Sequence, residues 1–153
     1  MAGRTDIGRR IVRATPRAIY DAFIDPDAQV RWLPPEGMTG RFDRFEPCPG
    51  GRYRMTLVYT GRHANAGKSS ADTDMVEGRF VELIPGERIV QTADFESDDP
   101  AFAGTMTMTW ALRAVPDGTE VTITASDVPP GISAEDHAAG LASTLANLAA
   151  FVE

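Results

Sequence analysis

The chain reads as an α+β fold: a curved antiparallel sheet of six or seven strands wrapped on one long C-terminal helix, with two short helices after the first strand. Three observations carry this reading. From Ser133 to Glu153, Leu141, Leu145, Leu148 and Val152 recur at helical spacing. From Gly37 to Ala125, apolar residues alternate with period two between clusters of turn residues. Ahead of that block stand two short segments, each opened by a proline just after a capping residue, Thr15-Pro16 and Asp25-Pro26.

The terminal helix organises the rest. Ser133 followed by Asp136 has the spacing of a capping box. Between His137 and Val152 there is no charged residue, so the helix needs cover on most sides. Ser143, Thr144 and Asn147 interrupt it, and a bilayer crossing takes about 20 apolar residues, so it does not span a membrane. It is expected to lie against the sheet, with its remaining apolar strip facing a cavity or a partner subunit.

In chain order, Asp6 to Val12 is a first strand with Ile7 and Ile11 two pleats apart. A helix follows from Thr15-Pro16 to about Ile24, carrying Ile19, Tyr20 and Phe23 on one side, and a second runs through Gln29 to Trp32 until Pro34-Pro35 ends it. Met38 to Glu46 is a strand closed by the turn Pro47-Cys48-Pro49-Gly50-Gly51. Tyr53, Met55, Leu57 and Tyr59 then alternate with Arg52, Arg54, Thr56 and Val58. Gly61 to Asp74 is polar and aperiodic, a loop. Met75 to Leu83 and Arg88 to Phe95 form a hairpin about Pro85-Gly86, ended by Asp98-Asp99-Pro100. Gly104 to Leu112 shows the clearest alternation, with Met106, Met108, Trp110 and Leu112 on one face. Pro116-Asp117-Gly118 turns into a last strand whose inner face is Val121, Ile123 and Ala125.

With 153 residues the chain is expected to be one domain spanning 1–153, able to bury a full core. Its 15 Lys and Arg against 22 Asp and Glu give a net charge of −7, which disfavours nucleic acid as a partner. A single cysteine, Cys48, excludes an internal disulfide and suits a reducing, cytoplasmic setting. Arg4, Arg9 and Arg10 are followed by no apolar run of signal-peptide length.

Few residues point to chemistry. His137, beside Glu135 and Asp136, is a weak catalytic candidate as a general base, with a helix-start surface residue as the alternative. His63 falls in the polar loop, where it either closes over a ligand or is solvated. No cluster has metal-ligand spacing: Asp72, Asp74 and Glu77 do not match a calcium loop and read as a solvated loop and strand edge. Cys48, between prolines, lacks a neighbouring base and reads as structural. No metal and no cofactor is expected. A curved sheet gripping one helix leaves room between them, and the candidates to line it are Trp32, Tyr53, Met55, Tyr59, Phe80, Met106, Met108, Trp110, Leu141 and Leu145. Methionines adapt to irregular ligands, and Tyr and Trp add polar handles to apolar bodies. Arg54 or Gln91 would recognise a polar group if either turns inward.

The run Arg13-Ala14-Thr15-Pro16-Arg17-Ala18-Ile19-Tyr20-Asp21-Ala22-Phe23-Ile24-Asp25-Pro26, with Arg31-Trp32, resembles the opening of the AHSA-type proteins, homologues of the heat-shock-protein-90 ATPase activator within the START/SRPBCC (birch-pollen-allergen-like) superfamily. Pro49-Gly50-Gly51-Arg52-Tyr53-Arg54, the segment Gly78 to Val90, Gly118-Thr119-Glu120-Val121-Thr122-Ile123 and His137-Ala138-Ala139-Gly140 are similar to later motifs of the same family. The resemblance implies the helix-grip fold. Members typically carry a glycine-tryptophan pair in the last helix, whereas Gly140 is here followed by Leu141, an aliphatic side chain where an aromatic would narrow the cavity.

The functional expectation is a binding protein for a small hydrophobic molecule, with an internal cavity of roughly 300 Å³ or more. Two alternatives stand beside it: an enzyme, cyclase- or hydrolase-like, acting on a small hydrophobic or polyketide-like substrate, and a protein-interaction or stress-response module of the chaperone-regulator kind. The charge-poor helix and the sheet edges also leave a homodimer open.

Overall fold

A computed structural model describes residues 4–34, 37–60 and 73–153. The strands are β1 (Thr5–Val12), β2 (Met38–Phe45), β3 (Arg52–Tyr59), β4 (Thr73–Ile84), β5 (Arg88–Glu96), β6 (Met106–Val115) and β7 (Gly118–Ser126). The helices are α1 (Pro16–Ile24), α2 (Pro26–Trp32) and α3 (Ala134–Val152), with a 3-10 turn at Pro100–Phe102. All seven strands form one antiparallel sheet in the order β1-β7-β6-β5-β4-β3-β2. This is the expected α+β, helix-grip arrangement.

Each helix starts on a side chain that accepts an otherwise orphaned backbone donor. Thr15 Oγ1 accepts from the Ala18 N–H at 3.1 Å, Asp25 from Asp27 at 3.0 Å and Ser133 from Asp136 at 3.0 Å. Because Asp25 caps α2 one residue after α1 ends, the two helices meet at an angle. Trp32 Nε1 fixes that angle by donating to the Ala22 carbonyl at 3.1 Å, and Gln29 Nε2 by donating to Phe23 at 2.8 Å.

The strand start at Thr73 departs from the sequence reading, which carries the polar loop on to Asp74. Asp74 is a strand residue opposite Leu57, and its buried carboxylate accepts the Tyr59 hydroxyl at 2.7 Å. A burial that composition makes look unfavourable is stabilised by a partner on the neighbouring strand. His63 and Asp72 lie outside the described residues.

Helix α3 lies along β1. Gly8 permits this, since a Cβ there would sit 3.0 Å from the Leu141 Cβ. The far side of the helix, Ala138, Ala139, Ala142 and Ala150, is exposed rather than covered, and short polar contacts hold the flank beside the leucine seam. Thr144 Oγ1 donates to the Leu33 carbonyl at 3.0 Å, and Asn147 Nδ2 donates to Pro34 at 3.1 Å, tying α3 to the end of α2. Beneath it, Phe23, Trp32 and Trp110 meet edge to face with centroids 4.4 to 5.8 Å apart.

Candidate functional site

Strand register decides which side chains share the concave face. Asp6, Ala125, Met108, Gln91 and Phe80 are successive Cα partners and form one row across β1, β7, β6, β5 and β4. One pleat away lies Gly8, Ile123, Trp110, Ile89 and Leu83. The second row is core, covered by Leu141 and Leu145 of α3. The first row differs, because Met108 and Gln91 are only half-buried and Met108 packs against both of the protein's apolar clusters. The concave face of β3, β4 and β5 lies away from the path of the α3 backbone.

The structure separates the predicted pocket residues into groups. Trp32 and Trp110, 0% and 1% exposed, pack with Leu141 and Leu145 in the main core. The buried Trp110 indole N–H has no hydrogen-bond acceptor among the described residues. Met106 joins Ala93, Ala125 and Val128 in a second cluster, fringed by half-buried Val76, Phe95 and Ile132. Tyr53 and Phe80 form an aromatic chain with Phe45 and Phe42, at centroid distances of 4.7 to 5.4 Å. Met55 is buried opposite Phe42, while Tyr59 stands at the end of β3 on Asp74. Met108 lies between these groups.

Of the two proposed polar recognisers, Gln91 turns inward and Arg54 does not. Arg54 lies on the convex face, paired with Glu96 at 2.7 Å and Glu77 at 3.4 Å. Gln91 lies within hydrogen-bonding reach of the Tyr53 hydroxyl. That hydroxyl donates to the Thr92 carbonyl, a contact made possible where β4 leaves β5. The pairing passes from Glu77 and Asp94 to Phe80 and Gln91 without Gly78 or Arg79, and the Arg79 N–H is taken instead by Thr92 Oγ1 at 3.0 Å. Tyr53 crosses over Gly78 to reach the opened carbonyl. Its burial pushes the phenol pKa up, and Asp94 adds to the rise against the hydrogen bond from Gln91, so it is neutral at ordinary pH. A lone glycine inside a strand pattern is the sequence signal for such a close approach.

His137 is neither a solvated helix-start residue nor held by Glu135 or Asp136, both of which are exposed. Its Nδ1 lies 2.7 Å from Asp6 Oδ2, with the two side chains 13% and 12% exposed. Arg4 contacts the same oxygen at 3.1 Å. Burial alone would raise the Asp6 pKa, but the hydrogen bonds and charges of His137 and Arg4 outweigh it and hold the carboxyl below its usual range. Sequence reasoning missed Asp6 because it is 131 residues away and reads as an ordinary strand residue.

Two open clefts lie elsewhere. One, of about 380 Å³, is lined by Pro26, Asp27, Val30 and residues 40–45; the other, of about 390 Å³, includes Arg44, Arg52, Glu77, Arg79 and Asp94 around the β4 and β5 opening. Of the predicted pocket residues, only Tyr53 borders either one. Among the described residues no group of acidic, His or Cys side chains is arranged to hold a metal, and no helix is long and apolar enough to cross a membrane. Cys48 is an exposed free thiol in the turn before β3, where its backbone bonds to Glu46 and Gly51.

The family model described as "Activator of Hsp90 ATPase homolog 1-like protein" matches residues 13–153. A crystal structure from Chromobacterium violaceum is similar at 34% identity, covering 97% of this chain and 96% of that one, with a TM-score of 0.85. A crystal structure from Rhodobacter sphaeroides, at 22% identity over 96% of each chain and a TM-score of 0.76, shares the fold. So does the solution structure of an AHSA1-like protein from Aeromonas hydrophila, at 18% identity over 97% and 92% of the two chains and a TM-score of 0.74. No curated protein matches the chain.

Proposed function

Since the chain belongs to the activator-of-Hsp90-ATPase-homolog-1-like family, we propose that it binds a small, largely hydrophobic molecule carrying one or two polar groups between its concave sheet and α3. The observation that carries this is the row Asp6, Ala125, Met108, Gln91 and Phe80, where a half-buried Met108 between the buried Ala125 and Phe80 is bracketed by a His137 and Asp6 pair and by Gln91 and Tyr53. Apolar surface with a few convergent polar groups is the usual make-up of a small-molecule site. In this reading Met108, Phe80, Met55, Met106 and Tyr59 line the chamber, while Trp32, Trp110, Leu141 and Leu145 form its rigid wall. The protein acts in the cytoplasm and needs no cofactor to bind.

Native mass spectrometry of protein purified from its own host tests this. A small-molecule adduct that disappears on denaturation is expected. A bare mass, with no enhancement of an environment-sensitive apolar dye in solution, would count against the proposal.

The family description names an activator of a chaperone ATPase, which raises regulation through a protein partner as a second reading. Ile7 and Ile11, 57% and 50% exposed on edge strand β1, are the apolar surface it would use, for a partner or for a second copy. Loss of a measured partner interaction or of a dimer in Ile7→Ser with Ile11→Ser would favour it.

A further inference from the structure

We propose that His137, oriented by Asp6, is the proton acceptor of the chamber, and that the ligand carries an acidic hydroxyl of the phenol or enol class which it delivers to His137 Nε2. The inference rests on the ligand-binding reading above and adds to it the chemical class of the ligand.

The imidazole tautomer is set by its partner. Asp6 is ionised at neutral pH, so it can only accept hydrogen bonds. Its oxygen 2.7 Å from His137 therefore requires the hydrogen to sit on Nδ1. A neutral imidazole protonated at Nδ1 presents a lone pair at Nε2. No described residue hydrogen bonds to that nitrogen.

The position of the ring follows from helical spacing. His137 precedes Leu141 and Leu145 by one and two turns, so it continues the seam that α3 lays on the sheet. It stands over the Asp6 end of the row whose middle is the half-buried Met108 and whose next member is Gln91. From Asp6 to Gln91 is three strand spacings, about 14 Å. A flat molecule of one or two rings lying on Met108 would reach His137 with one polar group and Gln91 with another.

The charges balance. The ligand O–H bond breaks, an Nε2–H bond forms, and the resulting imidazolium lies between the ligand oxyanion and the Asp6 carboxylate. Arg4 holds the carboxylate from its other side. Among the described residues these are the charged groups against the ring: β7 opposes Asp6 with Ala125, and Glu135 and Asp136 of α3 are exposed. A clamp that merely joined α3 to β1 would need the Nδ1 contact alone and would be indifferent to what approaches Nε2.

Para-nitrophenol and its methyl ether, para-nitroanisole, test the inference on the full chain, because the phenol changes colour on losing its proton and the ether has none to lose. The phenol is expected to bind with the phenolate absorbance at a pH where free phenol is protonated. It should bind more tightly than the ether by about 10- to 100-fold, as a hydrogen bond to a charged group implies. His137→Gln should abolish the spectral shift and lower phenol affinity by the same factor, with the ether unchanged. Asp6→Asn, which keeps the imidazole but frees its tautomer, should weaken the shift and carries the test if His137→Gln fails to fold. Equal binding of phenol and ether, or a phenolate spectrum retained in His137→Gln, overturns the inference while leaving the chamber. If neither probe binds, the chamber reading falls with it.

Discussion

Replacing Gly78 with alanine tests how the concave face is built. The added Cβ would lie 1.8 Å from the Thr92 carbonyl oxygen and 2.8 Å from the Tyr53 hydroxyl, where ordinary contacts begin at 3.4 Å. The nearer atom is backbone, so β4 and β5 must separate by more than an ångström rather than a side chain rotating away. Two costs follow. Forcing a methyl into a packed site costs about 1 to 3 kcal/mol. Moving the Thr92 carbonyl also strands the buried Tyr53 hydroxyl, which costs about another 1 to 3 kcal/mol. Together these make Gly78→Ala destabilising by about 2 to 6 kcal/mol, a fall in Tm of roughly 5 to 20 °C for a chain of this size. Urea unfolding followed by tryptophan fluorescence, with Tyr53→Phe alongside, measures it. Tyr53→Phe removes the stranded group, so Gly78→Ala should cost less in that background. A Gly78→Ala variant within about 1 kcal/mol of the parent, the low end of the overpacking cost alone, would refute the close approach of β4, Tyr53 and β5.

Other substitutions have signs that the structure fixes in advance. A Cβ added at Gly140, inside α3, would meet nothing within 4 Å, so Gly140→Ala should stabilise by about 0.5 to 1 kcal/mol, read as a rise in the urea midpoint. Ser133→Ala should cost about 1 kcal/mol, because the Asp136 N–H loses its acceptor. Asp6 has a lowered folded pKa, so its contribution is present above the ordinary value of 3.8 and is lost as pH falls through the folded value. The stability gap between the parent and Asp6→Asn should therefore narrow on going from about pH 6 to about pH 3, and a gap independent of pH would contradict the assignment. Tyr53 has the opposite sign: its folded pKa is raised, so stability should fall as pH climbs past 10, the ordinary tyrosine value, and Tyr53→Phe should remove that component.

The architecture is legible in the sequence because its signals are local. The Thr15-Pro16 and Asp25-Pro26 starts, the Ser133 cap, the Leu141, Leu145, Leu148 and Val152 seam and the Met106 to Leu112 alternation each report a period or a cap that neighbouring residues impose. The site is less legible. Strand phase puts Tyr53, Met55 and Tyr59 on one face, yet whether Gln91 or Arg54 shares it depends on register between strands, which no single strand encodes. Asp74 reads as solvated because its partner, Tyr59, belongs to a different strand.

Residue order alone determined the elements and their apolar faces, since periodicity, capping and turn chemistry act over a few residues. Tertiary structure decided the rest. It placed Asp6 against His137 across 131 residues, brought Tyr53 over Gly78 to Thr92, and packed Trp32 and Trp110 into the main core. Such contacts arise only when the strands of a sheet choose their neighbours, and that choice is made by the packing of the whole sheet against α3.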